Sequence, residues 1–183
     1  MLTKDNGLGN DNTCVTNKKP INEKGFWNPV WKLKKFHSKE DAKLNKPIEV
    51  KEFAWNVLTN DWINELFTLS CSSSGTLFDN TNAVLIVGTN LSSTVEAATV
   101  TESDFDSIVG QEMMTGYPTY GSSQQAVFKA EFDGTTANQS WQEFWVLNGA
   151  TGWTATLLNY KLSDQWTKIS WQVWQLELTI SLS

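Results

Sequence analysis

The sequence predicts a mainly β fold: an antiparallel β-sandwich or jelly-roll-like domain with one short helix and an extended N-terminal arm. Three observations support this prediction. Apolar and polar residues alternate with period two in several segments of the second half of the chain, as they do in half-buried strands. The pair Asn148-Gly149, a strong turn signal, lies directly between two such segments. Only residues 60–70 show the apolar spacing of a helix.

Residues 1–26 are predicted to form the arm, and residues 27–183 a single β-sandwich domain. The first segment is rich in Asn, Lys, Gly and Asp and has almost no apolar periodicity, so it cannot bury a core of its own. It is either a solvated tail or an arm that becomes ordered on a neighbouring subunit, anchored by Phe26, Trp27 and Trp31.

Charge separates the front of the chain from the rest. Residues 1–51 contain 11 lysines and six acidic residues, whereas residues 52–183 contain three lysines and 14 acidic residues. All 14 basic residues are lysine. Because arginine supplies the planar fork that reads guanine and clamps phosphate, sequence-specific nucleic-acid binding is not expected. The charge separation suggests that the arm contacts an acidic protein surface.

Two strands and the helix are predicted in the first half of the domain. Residues 30–36 alternate roughly in period two, which predicts an edge strand that carries its lysines outward. Residues 48–53 are predicted to form a second strand. Thr59 or Asn60 can cap a helix that continues to about Ser70.

The rest of the chain is predicted to be almost entirely strand. The continuous apolar run at residues 83–87 indicates a central strand buried on both faces, and residues 125–132 alternate cleanly. In the last segment, residues 169–182, the alternation changes phase at Val173-Trp174. That change predicts a bulge, or a strand covered on both sides at its start.

Another predicted strand, residues 140–147, is rich in aromatic residues, and residues 153–162 return beside it. Its alternation places Trp141 and Trp145 on one face and Phe144 on the other. Burial in the core or in a subunit interface is the favoured interpretation of these indoles.

The competing interpretation of the tryptophans is a platform on which sugar rings stack. Trp141, Trp145 and Trp153 are the candidate residues for this glycan-binding role.

Residues suited to acid–base chemistry are few. His37, the only imidazole of the chain, lies among lysines and is expected to be a surface histidine. A glycoside hydrolase would need two acids flanking a cleft, but Glu131 and Glu143 are expected to be surface charges. We therefore predict no enzyme activity and no cofactor.

No metal site or disulfide is predicted. The acids Glu102, Asp104 and Asp106 lack the glycine and terminal Glu of a calcium loop, so a solvated acidic stretch is favoured. Cys14 and Cys71 have no metal-ligand spacing and are expected to be reduced thiols. The longest apolar run is far too short for a membrane span, and no signal-peptide core is present at the N-terminus.

Several segments in order resemble a family of small structural proteins from tailed-bacteriophage virions. The family carries "NARIGVG"-like, "ANFAWNEWG"-like and "MLNRK…W.LTVTITLS"-like strands. The resembling segments are Asn82-Ala83-Val84-Leu85-Ile86-Val87-Gly88, Ala137-Asn138-Gln139-Ser140-Trp141-Gln142-Glu143, Leu157-Leu158-Asn159-Tyr160-Lys161 and Trp174-Gln175-Leu176-Glu177-Leu178-Thr179-Ile180-Ser181-Leu182-Ser183. The resemblance covers roughly residues 27–183, and Tyr160 stands where the family pattern has arginine.

The resemblance implies a non-enzymatic virion protein, made in the host cytoplasm. The leading expectation is a capsid decoration or cement protein that binds the outside of the head through its arm. Its partners would be the major capsid protein or other virion proteins and copies of itself, a trimer being favoured, with no nucleic acid and no membrane. The expected contact residues are Lys18, Lys19, Phe26, Trp27, Trp31, Lys32, Lys34 and Lys35.

Two alternatives stay open. One is a tail, neck or fibre component that binds a host-surface glycan through exposed tryptophan. The other is a glycan hydrolase with two carboxylates, for which a basic arm has no evident use.

Overall fold

Two antiparallel β-sheets pack against each other in the computed structural model, which confirms the predicted fold class. The structure describes residues 27–54, 56–72, 74–89, 99, 107–149 and 155–182. The predicted arm, residues 1–26, lies outside the described residues.

The first sheet has five strands. In spatial order they are β2 (Glu49–Ala54), β1 (Trp27–Phe36), β11 (Val173–Leu182), β7 (Gln125–Phe132) and β6 (Thr119–Ser122). The boundaries of β7 match the prediction. Strand β1, however, is not an edge strand as predicted, because it pairs with β2 on one side and β11 on the other. The outward Lys32 faces acidic residues on both neighbouring strands, and the outward Lys34 binds Asn45, so lysines on this face do not indicate an open edge.

The second sheet has six strands. They are β3 (Val57–Leu58), β10 (Asn159–Leu162), β8 (Glu143–Asn148), β4 (Ala83–Gly88) and β5 (Val109–Glu112) in spatial order, with β9 (Thr156–Leu157) also paired to β8. All six residues of β4 are buried, which confirms the predicted central strand. The return strand is interrupted between β9 and β10, where the Asn159 side-chain oxygen accepts the Val146 amide at 3.2 Å in place of a backbone carbonyl.

Two helices complete the described fold, where one was predicted. The predicted one is α2 (Asn60–Ser72), whose first turn is capped by Thr59: the hydroxyl accepts the Trp62 amide at 3.1 Å. The other helix, α1 (Lys39–Lys43), is short. It is capped by Ser38, whose hydroxyl accepts the Asp41 amide at 3.1 Å. It covers Phe36 and Val173 at one end of the first sheet.

The core between the sheets is built largely of aromatic rings. Trp141 contacts Trp174 and Phe132, each with 4.7 Å between ring centroids, and Trp31 contacts Phe144 at 5.8 Å. Such edge-on and tilted contacts add to the area that each ring buries.

A second apolar cluster lies on the other side of the second sheet and contains Trp145, Leu147 and Tyr160. Trp141 and Trp145 therefore lie on opposite sides, not on one face as predicted. The reason is that Trp141 precedes β8, so the alternation of that strand does not extend to it.

Opposite charges form a row across the outer face of the first sheet. Register places Lys32 of β1 opposite both Glu52 of β2 and Glu177 of β11, and Glu177 opposite Lys129 of β7. The Lys32–Glu52 and Lys129–Glu177 pairs have nitrogen–oxygen distances of 2.7 and 3.7 Å. The row favours this register over a one-residue slip, since a slip would turn these charges toward the core.

Reversal of one charge in this row tests its contribution. We expect Glu177→Lys to lower the free energy of unfolding by about 1 kcal/mol, because like charges would then face each other across two strand pairs. The matched control is Glu112→Lys on exposed β5, where Glu112 has no ion pair among the described residues. Urea unfolding measures both. Equal stability of the two variants, or no weakening of the difference in high salt, would contradict the expectation.

Candidate functional site: the aromatic loop

The loop between β10 and β11, residues 163–172, carries the most exposed tryptophans of the described chain. We call this segment the aromatic loop. Trp166 is 70% exposed, Ile169 58% and Trp171 83%. Exposed large apolar side chains of this kind can mark an interaction site.

The aromatic loop is fixed to the segment that precedes β8. The Trp141 amide donates to the Trp166 carbonyl at 3.0 Å, and the Gln165 amide donates to the Trp141 carbonyl at 2.8 Å. Farther along, the Lys168 amide donates to the Gln139 carbonyl at 2.9 Å. Because Trp141 is itself buried in the core, these bonds connect the exposed loop to the rigid interior.

A buried ammonium group ties the aromatic loop to the turn after β7. Lys168 has no solvent-exposed surface, and its Nζ donates to the Asp133 carbonyl at 2.5 Å, the Thr136 carbonyl at 2.9 Å and Asn138 Oδ1 at 2.8 Å. All three protons of the ammonium thus have an acceptor. Burial lowers the pKa of Lys168 from 10.5 to about 8, opposed by the nearby Asp133 charge.

The turn that receives Lys168 is itself organised by Asp133. Its carboxylate accepts hydrogen bonds from the amide and the hydroxyl of Thr135 and from those of Thr136. These bonds, led by the Thr135 hydroxyl, lower the pKa of Asp133 to about 2. The carboxylate is therefore an ionised structural group whose acceptor positions are occupied, and it is poorly suited to act as a general base.

A second lysine holds the other end of the aromatic loop. The Lys35 Nζ, also buried, donates to the Gln165 carbonyl at 3.1 Å and pairs with Glu49 at 2.8 Å. It lies 4.4 Å from the centroid of a Trp174 ring, close enough for a cation–π contact. Lys35 also lowers the pKa of Glu49, chiefly through its hydrogen bond.

Both exposed indoles of the loop stand on an unusual backbone. Trp166 has φ 71° and Trp171 has φ 78°, in the left-handed region that bulky residues rarely adopt. Such conformations persist only where the surroundings enforce them, and they are concentrated at functional sites. The strain therefore supports a functional role for the loop.

The predicted contact residues are mostly engaged within the domain. Lys32, Lys34 and Lys35 bind Glu52, Asn45 and Glu49 respectively.

Trp31 was expected at a contact surface but is fully buried between Phe53 and Phe144, so that expectation was wrong. Trp27 is half-buried against Trp62, beside a small apolar groove of about 250 Å³. Lys18, Lys19 and Phe26 lie outside the described residues.

The predicted glycan platform does not form from the proposed residues. Trp141 and Trp145 have no exposed surface, so neither can stack on a sugar, and Trp153 lies outside the described residues. Side-chain type alone cannot separate a core indole from a surface indole, and the core interpretation holds for these two.

The two candidate carboxylates do not form a pair in a cleft. Glu131 is partly buried and binds Lys39. Glu143 is fully buried and accepts the Tyr160 hydroxyl at 2.9 Å, so it is not the surface charge that was expected.

His37 is exposed, and Cys71 is a free, exposed thiol. Cys14 and the acids Glu102, Asp104 and Asp106 lie outside the described residues.

The features that organise this surface were not found from the sequence. The sequence did not indicate a site at Trp166, Trp171 or Lys168. Residues 169–172 were predicted to begin the last strand, whereas β11 begins at Val173. The phase change at Val173-Trp174 was the available signal, since it marks where the strand begins.

Comparisons with protein-family models, with curated proteins and with solved structures find no match to this chain, so the phage resemblance remains a prediction. In the described part of the chain, no three metal-binding side chains gather. No described helix has the length and apolar character needed to cross a membrane.

The bonds from Lys168 Nζ to the turn after β7, which we call the tether, can be tested by removing the buried ammonium. We expect Lys168→Met to lower the free energy of unfolding by about 1–3 kcal/mol, since three oxygens lose their donor. The exposed Lys43→Met is the control. The pKa of Lys168 is about 8 in the folded protein and 10.5 ordinarily, so between these pH values the unfolded chain binds more protons. The stability of the wild type relative to Lys168→Met should therefore rise from pH 8 toward pH 10.5. A flat or falling difference would contradict the assignment.

Proposed function

We propose that this chain is a non-enzymatic structural protein of a phage virion that attaches to another protein of the particle. The observation that carries the proposal is the aromatic loop, whose Trp166 and Ile169 side chains are exposed on a backbone held by hydrogen bonds. The sequence resemblance supports the virion setting, and the exposed side chains of the aromatic loop support a role in contact with another protein.

The chemistry of Trp166 suits a protein interface. Tryptophan is enriched among the few residues that contribute most of the binding energy in interfaces. Because the loop is fixed by backbone bonds and two buried lysines, little further ordering is needed when a partner covers it. Lys51 lies 5.9 Å from the centroid of a Trp166 ring and places a positive charge beside the apolar contact. An apolar partner surface with an acidic rim would therefore fit.

Loss of the apolar contact should remove the protein from particles. In purified particles of the encoding phage, we expect the double variant Trp166→Ser/Ile169→Ser to fall at least tenfold in copy number, measured by quantitative mass spectrometry. The control is Tyr120→Ser, an aromatic residue that is 76% exposed on the β6 edge. Wild-type particles that lack the chain would end the virion proposal. Particles that keep the double variant at wild-type level would end the role of the loop.

The contribution of the arm is a separate question. We expect a chain without residues 2–25 to fold with an unchanged melting temperature, because the core of the described residues is assembled from side chains between Trp31 and Ile180. If the arm is an anchor, this chain should also be lost from particles. Wild-type incorporation of the truncated protein would contradict the arm and leave the aromatic loop as the contact surface.

A further inference from the structure

A surface cleft of about 740 Å³ lies beside Trp171, between the first residues of α1 and the turn that receives Lys168. This volume falls within the range of about 300–1,000 Å³ that small-molecule sites occupy. The Trp171 indole is the only aromatic ring of the lining besides the His37 imidazole. The cleft thus combines one large flat apolar surface with polar walls.

The backbone that carries the Trp171 indole is held in place beside the cleft. The Trp171 amide donates to the Gly134 carbonyl at 3.2 Å. A β-carbon on residue 134 would lie 3.0 Å from the Trp171 Cα, so glycine is what permits this close approach. A binding surface held in this way loses little entropy when a ligand covers it.

Polar groups with spare hydrogen-bonding capacity line the cleft. Among the described residues, the side chains of His37, Glu40 and Ser170 form no hydrogen bond or ion pair within the protein. They offer an imidazole, a carboxylate and a hydroxyl, which together can both donate and accept. The other charged groups of the lining already have partners: Lys39 pairs with Glu131, and the ionised Asp133 carboxylate accepts hydrogen bonds from Thr135 and Thr136.

We propose that this cleft binds a neutral carbohydrate, with one sugar ring stacked on Trp171. The C–H face of a pyranose carries partial positive charge and matches the electron-rich face of an indole. The hydroxyls around the ring can donate to the Glu40 carboxylate, and they can both donate to and accept from His37 and Ser170. The inference does not depend on the virion proposal, because it uses Trp171 and the cleft and not Trp166.

Other ligand classes fit the cleft less well. A nucleotide could stack on the indole, but its phosphates would meet the Glu40 carboxylate, and the chain has no arginine to clamp them. A purely apolar ligand would leave the polar walls without partners. A proline-rich peptide is usually bound by a groove with several aromatic rings, whereas this cleft has one indole.

The test uses the full chain on a glycan array of neutral and acidic oligosaccharides, followed by calorimetry with the strongest neutral ligand. We expect Trp171→Ala to weaken binding at least tenfold and Trp171→Phe to weaken it less, since phenylalanine keeps a flat face. Trp166→Ala, an equally large truncation outside the cleft, should bind as the wild type does. His37→Ala and Ser170→Ala should each weaken binding several-fold.

Three results would overturn the proposal: no binding on the array, binding of acidic sugars alone, or equal losses for Trp171→Ala and Trp166→Ala. Thermal unfolding of each variant checks that the fold is retained. If Trp171→Ala proves unstable, His37→Ala and Ser170→Ala serve as the second test. Wild-type affinity in both of those variants would also count against the proposal.

Discussion

The buried ammonium of Lys168 is the interaction on which the exposed surface depends. A buried charge costs several kcal/mol unless its hydrogen-bonding capacity is filled, and here three oxygens from one turn fill it. Without Lys168, the Asp133 carbonyl would keep only its long bonds from Thr136, and the Thr136 carbonyl and Asn138 Oδ1 would lose the donor that the described residues provide. The lysine and the turn therefore stabilise each other, and together they fix the loop that carries Trp166 and Trp171.

The buried positive charges of this fold occupy sites that suit lysine better than arginine. An ammonium is a compact charge with three donors, which carbonyl oxygens arranged around it can satisfy, whereas the planar guanidinium fork is matched best by a carboxylate. Lys168 is held by two carbonyls and one amide oxygen, and Lys35 by a carbonyl, a carboxylate and an indole face. From the sequence, the lysine-only composition indicated that the chain is poorly suited to sequence-specific nucleic-acid binding. In the structure, two of these lysines connect irregular loops to a regular core.

The regular part of the fold was predictable because alternation reports directly on burial. Strand β7 follows from the alternation that one buried face imposes. Helix α2 follows from its apolar spacing, although none of its residues is fully buried. The alternation could not show that β1 is central, since outward lysines occur on any strand whose neighbours carry acids. It also could not show that Glu143 is buried, because the Tyr160 hydroxyl that binds it comes from another strand.

The candidate site was harder to predict for a related reason. Whether an indole is buried depends on long-range packing, and Trp141 and Trp171 have the same intrinsic preference for the core. Trp171 is exposed because Gly134 and Lys168 hold its backbone outside the first sheet. The alternation of apolar and polar residues around Trp171 gives no sign of either contact. Trp166 and Trp171 share one tether but belong to different surfaces, one apolar and one beside a polar cleft. Damage to the tether should therefore impair both surfaces at once, whereas loss of either indole should impair only its own. That difference separates a loop with two binding roles from one whose tryptophans merely cap the core.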